Sequence, residues 1–198
     1  MRVVIVPTGT ANIASVRAAF ARLDVATAEA ASPDDLTGAD RVVLPGVGSF
    51  GAAAAAIDRL GLRQPLLARI ESGAPTLCVC VGMQLLATQS TESPGARGLG
   101  VVEEVVTRFD EGVRVPQLGW NQVEPGEGAR YVTAGWAYFA NSYRMEHAPD
   151  GWLASTSVYS GRFVAAIERG SLLALQFHPE LSGAWGSNVI ARWLSEAA

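Results

Sequence analysis

Pro75-Thr76-Leu77-Cys78-Val79-Cys80-Val81-Gly82-Met83-Gln84 is the stretch that decides the fold. Pro75–Cys80 is a short apolar run and predicts a strand buried on both faces, while Met83–Ala87 predicts the start of a helix. A strand that hands over directly to a helix presents the side chain at the junction, Cys80, at the carboxyl edge of its sheet. A helix N-terminus there favours a thiolate, and the Val81 amide is placed to stabilise an oxyanion, as in a nucleophile elbow. Local context leaves two readings of Cys80, an activated nucleophile or the buried core thiol that cysteine commonly is. Gly82 favours the first, because a tight elbow needs a residue without a Cβ two positions on.

Working outward, the same alternation recurs. Val3–Val6 reads as a buried strand, and Ile13, Val16, Phe20 and Leu23 recur at helical spacing. Val25–Ala28 is a possible strand, Arg41–Leu44 a firmer one closed by Pro45-Gly46, and Ala52–Leu60 and Leu62–Ile70 read as helices. After residue 97 the pattern changes to short aromatic and β-branched segments: Tyr131–Tyr143, Ala154–Tyr159 and Phe163–Glu168. Leu172–Phe177 is a last buried strand and Asn188–Leu194 a closing helix. The expected architecture is one α/β domain over residues 1–198, with a central mixed, mostly parallel sheet flanked by helices.

Composition excludes several functions. The 198 residues are 49% hydrophobic and 17% charged, enough apolar chain for a substantial core. Fifteen basic residues against nineteen acidic give a net charge of −4, which argues against nucleic-acid binding. All fifteen are arginine, so a Schiff-base lysine, a lysine general base and the lysine of a phosphate-binding P-loop are ruled out. Two histidines and two cysteines are a thin supply for a dedicated zinc site, which needs four ligands, and no metal or cofactor is expected. No apolar run approaches the about 20 residues of a membrane span, and Met1–Val6 lacks the core of a signal peptide; a soluble cytoplasmic protein is expected.

A nucleophilic cysteine needs a base, and the base an orienting group. His178 leaves the apolar strand Leu172–Phe177, and in a parallel arrangement it exits on the sheet edge that carries Cys80. Glu180, two residues on, is spaced to fix the imidazole tautomer and support the imidazolium. His147 lies in a polar stretch and reads as a solvated loop residue. Pro45-Gly46-Val47-Gly48-Ser49-Phe50 joins a strand to a helix, with two glycines that free backbone N–H groups to face a developing negative charge.

Together Pro45-Gly46-Val47-Gly48, Cys80-Val81-Gly82-Met83-Gln84 and Phe177-His178-Pro179-Glu180 resemble the class I glutamine amidotransferases of the Cys-His-Glu type. Pro116–Asn121, Tyr138–Tyr143 and Phe163–Glu168 narrow the resemblance to the glutaminase subunits of imidazole glycerol phosphate synthases. The resemblance implies that Cys80 attacks the side-chain amide of L-glutamine, that His178 protonates the departing ammonia, and that Glu180 orients His178. It implies an oxyanion hole from Val47, Gly48 and the Val81 amide, incompletely set until a partner binds its own substrate. Gly48, Gln84, Ser142 and Tyr143 match positions that hold the glutamine. The implied partner is a cyclase, a (β/α)8 barrel, that uses the ammonia to make imidazole glycerol phosphate and aminoimidazole carboxamide ribotide for histidine and purine synthesis.

Trp120 in its Gly-Trp-Asn turn is a core residue or an interface anchor, and the resemblance favours the interface. Asn12 matches a position near the partner and equally suits a helix N-cap. The chain departs from the family pattern at Cys78 (usually Gly), Leu181 (usually Lys), Gln117 and Asn141 (usually His) and Pro7-Thr8-Gly9 (usually Asp-Tyr-Gly). The rival expectations are the glutaminase of a different ammonia-using synthase, a cysteine hydrolase that works without a partner, and an inactive binding module.

Overall fold

The computed structural model describes residues 1–9 and 12–196. In chain order the elements are β1 (Val3–Ile5), α1 (Ile13–Ala21), β2 (Thr27–Glu29), α2 (Pro33–Thr37), β3 (Arg41–Gly46), α3 (Phe50–Arg59), α4 (Arg63–Glu71), β4 (Thr76–Cys80) and α5 (Val81–Gln84). The second half holds β5 (Gln89–Ser90), β6 (Val105–Arg108), β7 (Gln117–Val123), β8 (Gly135–Asn141), β9 (Tyr143–Arg144), β10 (Leu153–Val158), β11 (Arg162–Arg169), β12 (Leu172–Leu175) and α6 (Gly183–Glu196). A 3-10 turn, Pro179–Leu181, lies between β12 and α6.

The main sheet has the order β10-β11-β12-β4-β3-β1-β2. From β12 to β2 all neighbours are parallel, and β10 and β11 join antiparallel at the far edge. Every residue of the three central strands β3, β4 and β12 is buried, which is why their sequences are continuous apolar runs without alternation. Helices supply the cover: α1 buries Val16, Ala19 and Phe20, α3 buries its alanine face with Phe50 and Ile57, and α6 buries Val189, Ile190 and Trp193. Arg41 at the start of β3 donates to Leu194 O at 2.6 Å and lies over the Trp193 ring, tying α6 to the sheet.

The expected mixed α/β sheet is present, with differences at element ends. β3 continues through Pro45 and Gly46, which pair with Val79 and Cys80 of β4 instead of closing the strand. The helix expected from Met83 to Ala87 is the single turn Val81–Gln84. The carbonyls that would extend it are taken by a later loop: Leu85 O accepts from Leu99 N at 2.6 Å, and Leu86 O from Val101 N at 2.8 Å. Gln117–Val123 is a strand, so Trp120 sits opposite Tyr138 in the β7–β8 ribbon and not in a turn. The second strand lies at Thr27–Glu29, slightly later than expected, and the last helix begins at Gly183.

The register has one functional consequence. Because β4 lies between β3 and β12, the chain leaves all three strands at the same edge, bringing Val47-Gly48, Cys80-Val81 and Gln176–His178 together.

Candidate active site

Cys80 is the last residue of β4 and has φ +53° and ψ −111°, a backbone conformation that costs an L-residue about 1–3 kcal/mol. Two glycines make that turn possible by close approach. A Cβ on Gly82 would lie 1.9 Å from Leu44 O, and one on Gly46 would lie 2.7 Å from Val81 Cβ. The elbow is thus wedged against β3 and points Cys80 Sγ into the cleft at the sheet edge. Since α5 is one turn long, its dipole is short, and the basic group beside the sulfur is His178.

His178 is buried, and its Nδ1 is 2.8 Å from Glu180 Oε1. With Nδ1 held by the carboxylate, Nε2 is the ring nitrogen left to serve Cys80. Burial alone would lower the imidazole pKa. The hydrogen bonds to Cys80 and Glu180, with the charges of both, outweigh it and push His178 up to about 10. The backbone of His178 is also fixed, its N–H donating to Tyr138 O at 2.9 Å and its carbonyl accepting from Ser182 Oγ at 2.6 Å.

The cleft is lined by nine residues besides Cys80 and His178. Val47 and Gly48 come from the loop beyond β3, Val81 and Gln84 from α5 directly after β4, and Ala140, Asn141, Ser142 and Tyr143 from the end of the β7–β8 ribbon. Glu92 completes it. Its carboxylate accepts from Phe50 N at 2.6 Å, holding the start of α3 directly after the Val47-Gly48 loop. Tyr143 O accepts from both Gln84 Nε2 at 3.1 Å and Asn141 Nδ2 at 3.0 Å. Asn141, one of the departures from the family pattern, thereby helps to shape the cleft.

All the expected site residues therefore converge here except Asn12 and Trp120. Asn12 caps α1, its Oδ1 accepting from Ser15 N at 3.3 Å. Trp120 is 54% exposed and stands edge-on to Tyr138, with ring centroids 6.1 Å apart, next to the exposed Leu118 and Trp136. His147 is exposed and away from the cleft. Cys78 is fully enclosed between Leu44 and Ala174 of the neighbouring strands, and burial pushes its thiol up to about 12, so it behaves as a small hydrophobe. Sequence reasoning missed Glu92, Ser182 and Gln176. Only Gln176 left a signal there, as a polar residue at the end of an apolar strand, which needs a partner once buried.

Among the described residues there is no group of three or more His, Cys, Asp or Glu arranged to hold a metal ion, and no helix long and apolar enough to cross a membrane.

The family model for glutamine amidotransferase class-I matches residues 10–196. The HisH subunit of imidazole glycerol phosphate synthase from Symbiobacterium thermophilum is 39% identical over 196 residues, covering 97% of this chain and 92% of that protein. The HisH subunit from Escherichia coli strain K12 is 37% identical over 199 residues, covering 98% and 99%. The chloroplastic imidazole glycerol phosphate synthase hisHF of Arabidopsis thaliana is 38% identical over 94% of this chain, which spans only 33% of that longer protein. A crystal structure of a glutamine amidotransferase superposes with a TM-score of 0.79 at 22% identity, covering 98% of both chains, and shows the shared fold. The chain belongs to the class I glutamine amidotransferases and, within them, to the family of imidazole glycerol phosphate synthase HisH subunits.

Proposed function

We propose that the chain hydrolyses L-glutamine to glutamate and ammonia at Cys80 and supplies the ammonia to a cyclase subunit in histidine biosynthesis. The observation that carries this is the strained elbow at Cys80, facing the buried His178–Glu180 pair across a small cleft. The thiolate attacks the amide carbon, and the oxyanion forms between the Val81 amide and the Val47-Gly48 loop. His178 gives its Nε2 proton to the leaving nitrogen, and the C–N bond breaks to release ammonia and leave a thioester on Cys80. Water, deprotonated by His178, cleaves the thioester to free glutamate and restore the thiolate. Glu180 keeps the imidazole in one tautomer throughout.

Gln84, Ser142 and Tyr143 with Gly48 offer neutral hydrogen-bonding groups to the glutamine, and Glu92 supplies a carboxylate suited to its α-ammonium. The partner is a (β/α)8 cyclase, consistent with the word subunit in the relatives' names and with the longer plant relative. Trp120, with Leu118 and Trp136, offers an apolar surface beside the site for that partner, and Asn12, exposed at the cap of α1, is assigned to the same partner by the family resemblance alone. We place the protein in the cytoplasm as one catalytic domain without a cofactor.

The test is glutamate release by the purified chain with and without the cyclase carrying its nucleotide substrate. Strong stimulation by the loaded partner supports the assignment. Equal turnover with and without it points to a partner-independent hydrolase.

A further inference from the structure

Gln176 is completely buried and is the last residue before Phe177-His178. Its Nε2 donates to Cys80 Sγ at 3.7 Å, and its Oε1 accepts from Gln84 Nε2 at 3.0 Å. The direction of this chain is fixed by one group that can only accept. Because Tyr143 O takes a hydrogen bond from Gln84 at 3.1 Å, the nitrogen of Gln84 must face it. The second hydrogen on that nitrogen then meets the oxygen of Gln176, which turns the nitrogen of Gln176 toward the sulfur. Both hydrogens of the Gln84 amide are used inside the protein, and its oxygen remains as the acceptor for a ligand in the cleft.

We propose that Gln176 is a positioning residue that orients the nucleophile and the Gln84 amide as one unit. Resting on the assignment of Cys80 as the nucleophile, it gives Sγ a neutral donor of its own. A hydrogen bond to an anionic acceptor is stronger than one to a neutral thiol, so the contact favours the attacking form of the sulfur. It also keeps the Gln84 oxygen turned to the cleft, where it accepts from the NH2 of a carboxamide and repels a carboxylate. Gln176 therefore contributes to the preference for glutamine over glutamate without touching either.

Two variants separate these effects. Gln176→Glu keeps the acceptor for Gln84 and removes the donor to Sγ. Gln176→Leu removes both. The probe is iodoacetamide, with the modified residue located by mass spectrometry and the alkylation rate followed against pH. Both variants are expected to react about 10- to 100-fold more slowly at Cys80 at neutral pH, with the profile displaced to higher pH. In the complex with the cyclase, Gln176→Glu lowers kcat with little change in KM for glutamine, whereas Gln176→Leu also raises KM. Should the glutamate variant fail to fold by circular dichroism, the leucine variant, apolar and of similar size, carries the test. Alkylation profiles that coincide with wild type in a folded variant overturn the role of Gln176. Labelling of wild type elsewhere than Cys80, with glutamate release intact, overturns the nucleophile assignment instead.

Discussion

Ser182 Oγ donates a 2.6 Å hydrogen bond to the main-chain carbonyl of His178. The same oxygen accepts from Tyr138 N at 2.9 Å, so one buried hydroxyl joins the exit of β12 to the middle of β8. Removing it takes one of two donors from the buried His178 carbonyl, which keeps the Leu181 N–H, and the acceptor from the part-buried Tyr138 N–H, at a cost of about 1–3 kcal/mol. Ser182→Ala is expected to lower the unfolding free energy by that amount and to reduce kcat, since His178 loses part of its support. Urea titration and steady-state kinetics in the synthase complex check both.

Gly82→Ala addresses the elbow. The added methyl would sit 1.9 Å from Leu44 O, which is backbone in a central strand and cannot yield cheaply. The variant is expected to lose glutaminase activity and to unfold several degrees below wild type in a thermal melt. Wild-type activity and melting temperature in this variant would mean that the elbow is not wedged against β3.

The charge on His178 predicts a pH dependence of stability. Its pKa rises on folding from 6.5 to about 10, so its contribution is full below the unfolded value, declines as pH climbs, and is gone above the folded one. The stability difference between wild type and His178→Gln should be at its full value by pH 6.5 on the acid side, shrink as pH rises from there, and close by about pH 10. Denaturant titrations across that range would show it. A gap that widens with pH contradicts the sign.

Arg69 predicts a purely structural effect. Buried on α4, it donates to the carbonyls of Leu36, Ala39, Asp40 and Pro75, each within 3.0 Å. Arg69→Met keeps the stem and takes this donor from four carbonyls, of which those of Leu36 and Ala39 are buried and that of Pro75 keeps the Val42 N–H, so a loss of about 2–4 kcal/mol is expected, with kcat unchanged. Chemical denaturation beside turnover assays separates the two.

Much of the site was legible in the sequence because its residues sit at strand ends marked by apolar runs. Thr76–Cys80 and Leu172–Leu175 announce buried neighbours, and the segments at their carboxyl ends, Cys80-Val81-Gly82 and His178-Pro179-Glu180, fall at one edge once the sheet is parallel. The residues that stayed hidden depend on pairing that no local pattern encodes. Glu92 matters because its loop meets the start of α3, and Ser182 because β8 runs beside the 3-10 turn. β7 is hard to read because Gly119 and Asn121 dilute its pattern, and strand character there comes from pairing with β8. The helix after Cys80 is shorter than its sequence suggests because the loop that takes its carbonyls lies more than ten residues downstream.

The two cysteines, Cys78 and Cys80, separate cleanly. Cys78→Gly removes a buried thiol that lies outside the cleft lining, so turnover should persist with some loss of stability from the small cavity. Activity that disappears with Cys78 while the fold survives would give that residue a chemical role.

The most direct measurement is glutamate release by Cys80→Ser in the complex with the loaded cyclase. Loss of the nucleophile in a catalytic triad costs on the order of 10⁴-fold or more, and a fall of that size is predicted, with the fold and partner binding intact. Glutamate release at a rate near wild type in this variant would contradict the account, because no thioester could then form at Cys80.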